Sequence, residues 1–164
     1  MAVVNTKATA VGNADATPAV ATNRILTRGP VFAAVGQVSV AVGDDDTSVF
    51  RFARIPSNAR IISIRRTNTA ITGGTSYGIG LYQTAANGSS AASASLFAAA
   101  QDLSTAGNSV EQRYTALAVT TAEQRVWELL GLTADPQREY DVCALANTVG
   151  TTAGSIGLEI LYTV

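Results

Sequence analysis

The chain has 164 residues, 47% of them hydrophobic and only 14% charged, with a formal net charge of −1. Those figures exclude an intrinsically disordered chain, and the near-neutral balance argues against a nucleic-acid surface. Histidine is absent and there is a single cysteine, so histidine-based catalysis, histidine metal sites and an internal disulfide are all excluded. Aromatics make up 6%, so the expected core is built from small and β-branched side chains. All basic residues except Lys7 are arginine, the residue better suited to fixed ion pairs and interfaces.

Residues 1–30 differ from the rest. "MAVVNTKATAVGNADATPAV" lacks a basic stretch followed by an apolar run, so no signal peptide is expected, and no stretch of the chain is apolar enough for a membrane span. The segment is rich in Ala, Thr and Asn, includes Pro18 and Pro30, and follows neither a helical nor a strand period. It is expected to be an extended arm that gains order against a partner. Its candidate contact residues are Asn5, Thr6, Lys7 and Thr17, followed by Pro18, Asn23, Arg24 and Arg28.

Residues 31–164 read as the folded domain. "VGQVSVAV" (35–42) alternates, with Val38, Val40 and Val42 on one face, and "GDDDT" (43–47) turns the chain. In "SVFRFARI" (48–55), strict alternation places Val49, Arg51, Ala53 and Ile55 on one side and Phe50, Phe52 and Arg54 on the other. After "PSN", the next strand lies within 58–71, with Ile62 and Ile64 sharing a face and Arg60 and Arg66 at its ends. "SYGIGLYQT" (76–84) sends Tyr77, Ile79, Leu81 and Gln83 one way, and Gly78, Gly80 and Tyr82 the other. Alanine content leaves 91–104 open between a short helix and a bulged strand.

Residues 109–119 are expected as a strand, and "TTAEQRVWELLGL" as the clearest helix. In that reading Thr120 caps the helix, Glu123 completes a capping box and Gly131 closes the C-terminus. Val126, Leu129 and Leu130 share the inward face, and with Trp127 they are read as a structural anchor. Two final strands, "REYDVCALAN" and "SIGLEILYTV", end the chain. About eight short strands with one or two short helices define the fold class: mainly β, an antiparallel β-sandwich or jelly roll with an extended N-terminal arm.

Chemistry is sparse. Asp44, Asp45 and Asp46 are consecutive, so their side chains diverge, and they read as a solvated turn rather than a calcium loop. Cys143 sits in a strand pattern and reads as a small buried hydrophobe. The "TGGT" and "GIG" stretches do not open helices, so no phosphate loop is expected. No catalytic residue, cofactor or metal ligand is expected, and the protein is read as a non-enzyme.

The arm "MAVVNTKATAVGNADATP", together with "FRFARIPSNARI", "GIGLYQTAANG" and "RVWELLGLTADPQREYDV", resembles the small jelly-roll capsid decoration, or cement, proteins of tailed bacteriophages. The resemblance implies a virion structural protein made in the host cytoplasm and placed on the outer capsid surface. Its implied partners are the major capsid protein and neighbouring copies of itself, as a homo-oligomer or side by side on the shell. It implies that such modules bridge major capsid subunits and stabilise the shell, with no nucleic-acid or membrane partner. The alternative is a virion-surface glycan-binding adhesin, or a head-fibre or tail component, on the same sandwich.

Overall fold

A computed structural model describes residues 7, 9–21 and 29–164. The chain divides into two units, residues 1–30 and 31–164. Within the first, Thr9–Ala14 forms a short helix, α1. The described part of the arm is therefore not extended throughout. Local bonds explain the departure: Lys7 Nζ reaches Asp15 Oδ2 at 2.6 Å, and the Val20 N–H donates to the Asn13 carbonyl at 2.9 Å, folding the segment back on itself.

The second unit contains eight strands: β1 (Phe32–Val40), β2 (Val49–Pro56), β3 (Arg60–Asn68), β4 (Ser76–Gln83), β5 (Ala91–Gln101), β6 (Gly107–Glu111), β7 (Glu139–Thr148) and β8 (Gly154–Thr163). Two one-turn helices interrupt them, α2 (Arg113–Ala116) and α3 (Val126–Leu129). The sheets are ordered β1-β8-β3-β6 and β2-β7-β4-β5, with antiparallel pairing throughout. Interleaving early and late strands in both sheets is the order of an eight-stranded jelly roll. The expected fold class holds.

Between the sheets lie two clusters of buried side chains. One is built around Ile55, Ile61, Ile64, Leu81, Phe97 and Ile160, the other around Val40, Ile71, Tyr77, Leu103 and Ile156. Phe52 packs against both. Tyr77, buried in the second cluster, keeps its hydroxyl satisfied by donating to the Val149 carbonyl at 2.7 Å.

Strict alternation fails where a strand carries an extra residue. In β3, Ile61 pairs with Tyr162 and Ser63 with Leu161, leaving Ile62 as the bulge. Ile61 and Ile64 therefore point inward, whereas Ile62 is exposed, contrary to the expected Ile62–Ile64 face. In β2, Arg51 pairs with Cys143 and Ala53 with Val142, so Phe52 is the extra residue and Arg51 and Arg54 come to the same side. Val42 is also corrected: β1 ends at Val40, and Val42 lies exposed in the following turn.

β5 resolves the open reading of 91–104 as a bulged strand. From Ile79 opposite Ala98 to Leu81 opposite Ser93, β4 advances two residues while β5 advances five. The surplus crosses the outer face of β4. A Cβ on Gly80 would run into the backbone of Ser93 and Ala94, and one on Gly78 would press on the Ala94 carbonyl. The two glycines in "GIG" thus make room for a crossing backbone. Gly36 in β1 plays the same part against the Phe52 carbonyl of β2.

The segment 109–119 is not one strand: β6 stops at Glu111 and α2 begins at Arg113. Glu111 causes the break. Its carboxylate accepts bonds from the backbone N–H groups of Ile64, Gln112 and Arg113, which turns the chain back over its own side chain.

The crossing gives a direct test. Gly80→Ala should lower stability by about 1–3 kcal/mol, because β5 has to shift to admit the methyl group. Urea unfolding followed by tryptophan fluorescence measures it, and an unchanged midpoint would show that β5 does not lie against Gly80.

Candidate interaction surface

Of the candidate arm residues, Lys7, Thr17 and Pro18 are described, and Asn5, Thr6, Asn23, Arg24 and Arg28 lie outside the described residues. Thr17 and Pro18 are exposed, and the exposed stretch continues through Ala21. Lys7 is committed to Asp15 in an exposed pair, which contributes little to stability in water.

The anchor residues lie in and beside α3. Val126 is fully buried in the first core cluster, and Leu129 and Leu130 are half-buried against it. Trp127 is half-buried, and its Nε1 has no hydrogen-bond partner among the described residues. The expected thirteen-residue stretch from Thr120 contains only a turn at Val119–Thr121 and the short α3. The cap is Arg125 rather than Thr120: Glu128, not Glu123, accepts the reciprocal backbone bond, from the Arg125 N–H at 2.6 Å. Gly131 does close the helix in the left-handed conformation, with φ +71°. Leu132 N–H donates back to the Trp127 carbonyl and Gly131 N–H to that of Glu128, the Schellman pattern.

Tertiary bonds shorten this helix. The Val126 and Trp127 N–H groups donate to the carbonyls of Ala59 and Ser57, in the turn between β2 and β3. Ser57 Oγ donates to Asp135 and accepts from the Arg138 N–H, so the whole block from Arg125 to Arg138 is fastened to that turn.

The arrangement that sequence reasoning missed is a carboxylate held by two arginines. Asp141 on β7 accepts from Arg51 Nη1 at 2.7 Å and from Arg54 Nε at 2.8 Å. Arg51 goes on to donate to the Gln83 and Ser89 carbonyls, and its guanidinium lies 5.6 Å from the Tyr82 ring centre. Burial pushes Asp141 upward, yet the bonds from Arg54 and Arg51 outweigh it and hold the carboxyl below its ordinary value. A second carboxylate with several hydrogen-bond donors around it sits at the β6–α2 junction. Burial likewise opposes ionisation of Glu111, and bonds from Ser63, Arg113, Ile64 and Gln112 overcome it. Arg113 beside it is fully buried, donates to the Thr121 carbonyl at 3.0 Å and packs on Tyr114.

These groups bond strands and turns to one another. Burial pushes the Cys143 thiol up to about 12, which keeps it protonated and poorly nucleophilic. Asp44 and Asp46 accept backbone bonds from Ala41 and Val149, each at 2.8 Å. Among the described residues, no group of three or more acids or cysteines is arranged to hold a metal ion.

No protein-family model matches the chain, and no curated protein sequence matches it. Among solved structures, a chain of the structure titled "Capsid of Ralstonia phage GP4" superposes with a TM-score of 0.61 at 14% identity, over 82% of this chain and 84% of that one. The two share a fold. A chain of the "Cyanophage Pam1 capsid asymmetric unit" aligns over 83% of this chain and 86% of that one, at 13% identity and a TM-score of 0.46.

The jelly roll also exposes several large apolar side chains. Val35 on β1 is 74% exposed and Val119 is 76% exposed. Phe32, at the start of β1, stacks on Tyr162 with ring centres 5.7 Å apart and is still 45% exposed. Scattered exposed apolar groups are common on proteins, so these mark available contact area rather than a defined site.

The Asp141 pair makes stability depend on pH in a stated direction. A carboxyl whose pKa is lower in the folded state stabilises above its unfolded value of about 3.9, and that contribution is lost as pH falls through the folded value. Asp141→Asn should therefore cost about 1–3 kcal/mol at pH 7, with the gap to the wild type closing in acid below about pH 4. Thermal melts of both proteins from pH 7 to pH 2 test this, and a gap that persists undiminished in acid contradicts it.

Proposed function

We propose that this protein is a virion structural protein of a tailed phage, a decoration module that binds the outside of the head and bridges major capsid subunits. The observation that carries the reading is the jelly roll shared, over most of both chains, with a chain of the structure titled "Capsid of Ralstonia phage GP4". The resemblance of the arm and of the 125–142 block to phage decoration proteins points the same way, as does the chemistry of the fold. Its polar groups of unusual environment, Asp141, Glu111 and Arg113, are engaged in holding strands and turns. A near-neutral, disulfide-free module of this kind binds by contact area and shape.

In this reading the domain of residues 31–164 supplies a rigid wedge between capsid subunits, and the arm of residues 1–30 adds reach. Linking a second contact to a first raises retention without any new contact in the domain itself, because the second event becomes intramolecular. The major capsid protein is the partner, and copies of this chain occupy neighbouring positions on the shell.

Two variants separate the parts. Deleting residues 1–28 should leave the melting temperature of the domain unchanged and weaken its retention on undecorated capsids roughly tenfold or more. Val126→Ala should instead destabilise the domain by about 1–3 kcal/mol, and lower capsid loading only through loss of folded protein. Calorimetry and a capsid co-sedimentation assay under dilution read the two effects. An arm deletion that lowers the melting temperature as much as Val126→Ala, or that leaves retention unchanged, contradicts the division of labour.

A further inference from the structure

The outer face of the β1-β8-β3-β6 sheet carries a groove of about 540 Å³, lined by residues of all four strands. Small-molecule sites commonly span roughly 300–1,000 Å³. Its floor is Gly157 on β8, which lies in register between Gln37 of β1 and Thr67 of β3. The adjacent row is Val35, Glu159 and Arg65, and Asn108 and Ser109 of β6 close the far side.

Gly157 is set apart from the other glycines of residues 31–164. Each of the others either has a positive φ or would bring a Cβ to within 3.1 Å of a neighbouring atom. At Gly157 the φ is ordinary, and a Cβ would meet only the Thr67 and Gly36 carbonyls at 3.7 and 3.8 Å, which is normal contact. Neither the backbone nor the packing requires glycine there. A mid-strand glycine weakens its strand and often marks the place where a ligand approaches the backbone closely.

The lining defines what could approach. Gln37 and Asn108 are exposed amides whose side chains make no hydrogen bond to any described residue, and each offers donors and an acceptor. The Thr67 hydroxyl accepts from the Ser109 N–H and retains its own proton to donate. Arg65 and Glu159 are register partners of opposite charge and the charged residues of the lining, so the lining carries no net charge to favour an ion. Val35 is the one large exposed aliphatic side chain of the lining, since Leu158 is buried in the core, and that is too little for an apolar ligand. An extended polypeptide gains its affinity by pairing along a sheet edge, whereas this groove lies on a sheet face, where backbone groups are already paired.

We propose that the groove binds a neutral glycan, whose hydroxyls both donate and accept, with Gln37, Thr67 and Asn108 as its hydrogen-bonding contacts and the sugar ring lying over Gly157. The assignment does not rest on the virion reading, since the isolated protein should bind. The test is an array of neutral hexose and N-acetylhexosamine oligosaccharides, followed by titration calorimetry with the array oligosaccharide that binds best. The full-length wild type should bind, and Gly157→Val, which fills the floor, should lose binding at least about tenfold while its melting temperature holds or rises. Asn108→Ala and Gln37→Ala, at exposed positions, should weaken binding and keep the fold, so the result does not depend on Gly157→Val folding. Absence of binding across the array overturns the proposal, as does undiminished binding by the folded Gly157→Val and Asn108→Ala variants. Capture of a synthetic peptide of residues 1–30 in place of the sugars, abolished by the same substitutions, would assign the groove to the arm of another copy and overturn the glycan.

Discussion

One extra residue in β2 holds several separate features of this domain together. Because Phe52 has no partner in β7, its carbonyl is pushed against Gly36 of β1, in the opposite sheet. Its side chain lies where both core clusters meet. The same extra residue turns Arg54 to the side of Arg51, and the two guanidinium groups reach Asp141 from adjacent positions. A carboxylate as buried as Asp141 is costly unless paired and hydrogen-bonded, and here it is both. Arg51 then carries the connection to the carbonyls of Gln83 and Ser89, at the ends of the turn between β4 and β5. A bulge that would weaken an isolated ladder thus joins the two sheets, the core and a surface turn.

Much of the fold is legible in the sequence, and most of the parts that are not share one cause. Two-residue periodicity identifies most of the strands and the sandwich class, because inward positions must be apolar whatever the connectivity. Periodicity carries no information about an inserted residue. It therefore misplaces Ile62, separates Arg51 from Arg54, and leaves the alanine-rich β5 ambiguous. The α3 region fails for a different reason. Thr120 and Glu123 have the right spacing for a cap, but the donors of the helix are satisfied by Ser57 and Ala59, about seventy residues earlier in the chain, and the helix starts where those carbonyls stand. Local propensity yields to a tertiary bond.

The candidate sites were less legible than the fold. Gln37, Thr67, Asn108 and Gly157 come from four separate strands, and each reads alone as an ordinary outward residue. The one local signal is a glycine inside "SIGLEI", at a position where alternation predicts a side chain. The Asp141 clamp has no sequence signal, since it depends on the bulge. The arm could be recognised by what it lacks, a period, but its short α1 and the Lys7–Asp15 pair depend on chain reversal that composition does not reveal.

The Asp141 and Glu111 carboxylates are bonded within the jelly roll, and its outer surfaces remain for partners. The proposed role as an assembly component of the shell requires that each particle hold many copies of the protein. The most direct measurement is its copy number in purified particles relative to the major capsid protein, by quantitative mass spectrometry with isotope-labelled peptides of both chains. Copies comparable in number to the major capsid protein are the expected result. Absence from purified particles, or a handful of copies per particle, would contradict it.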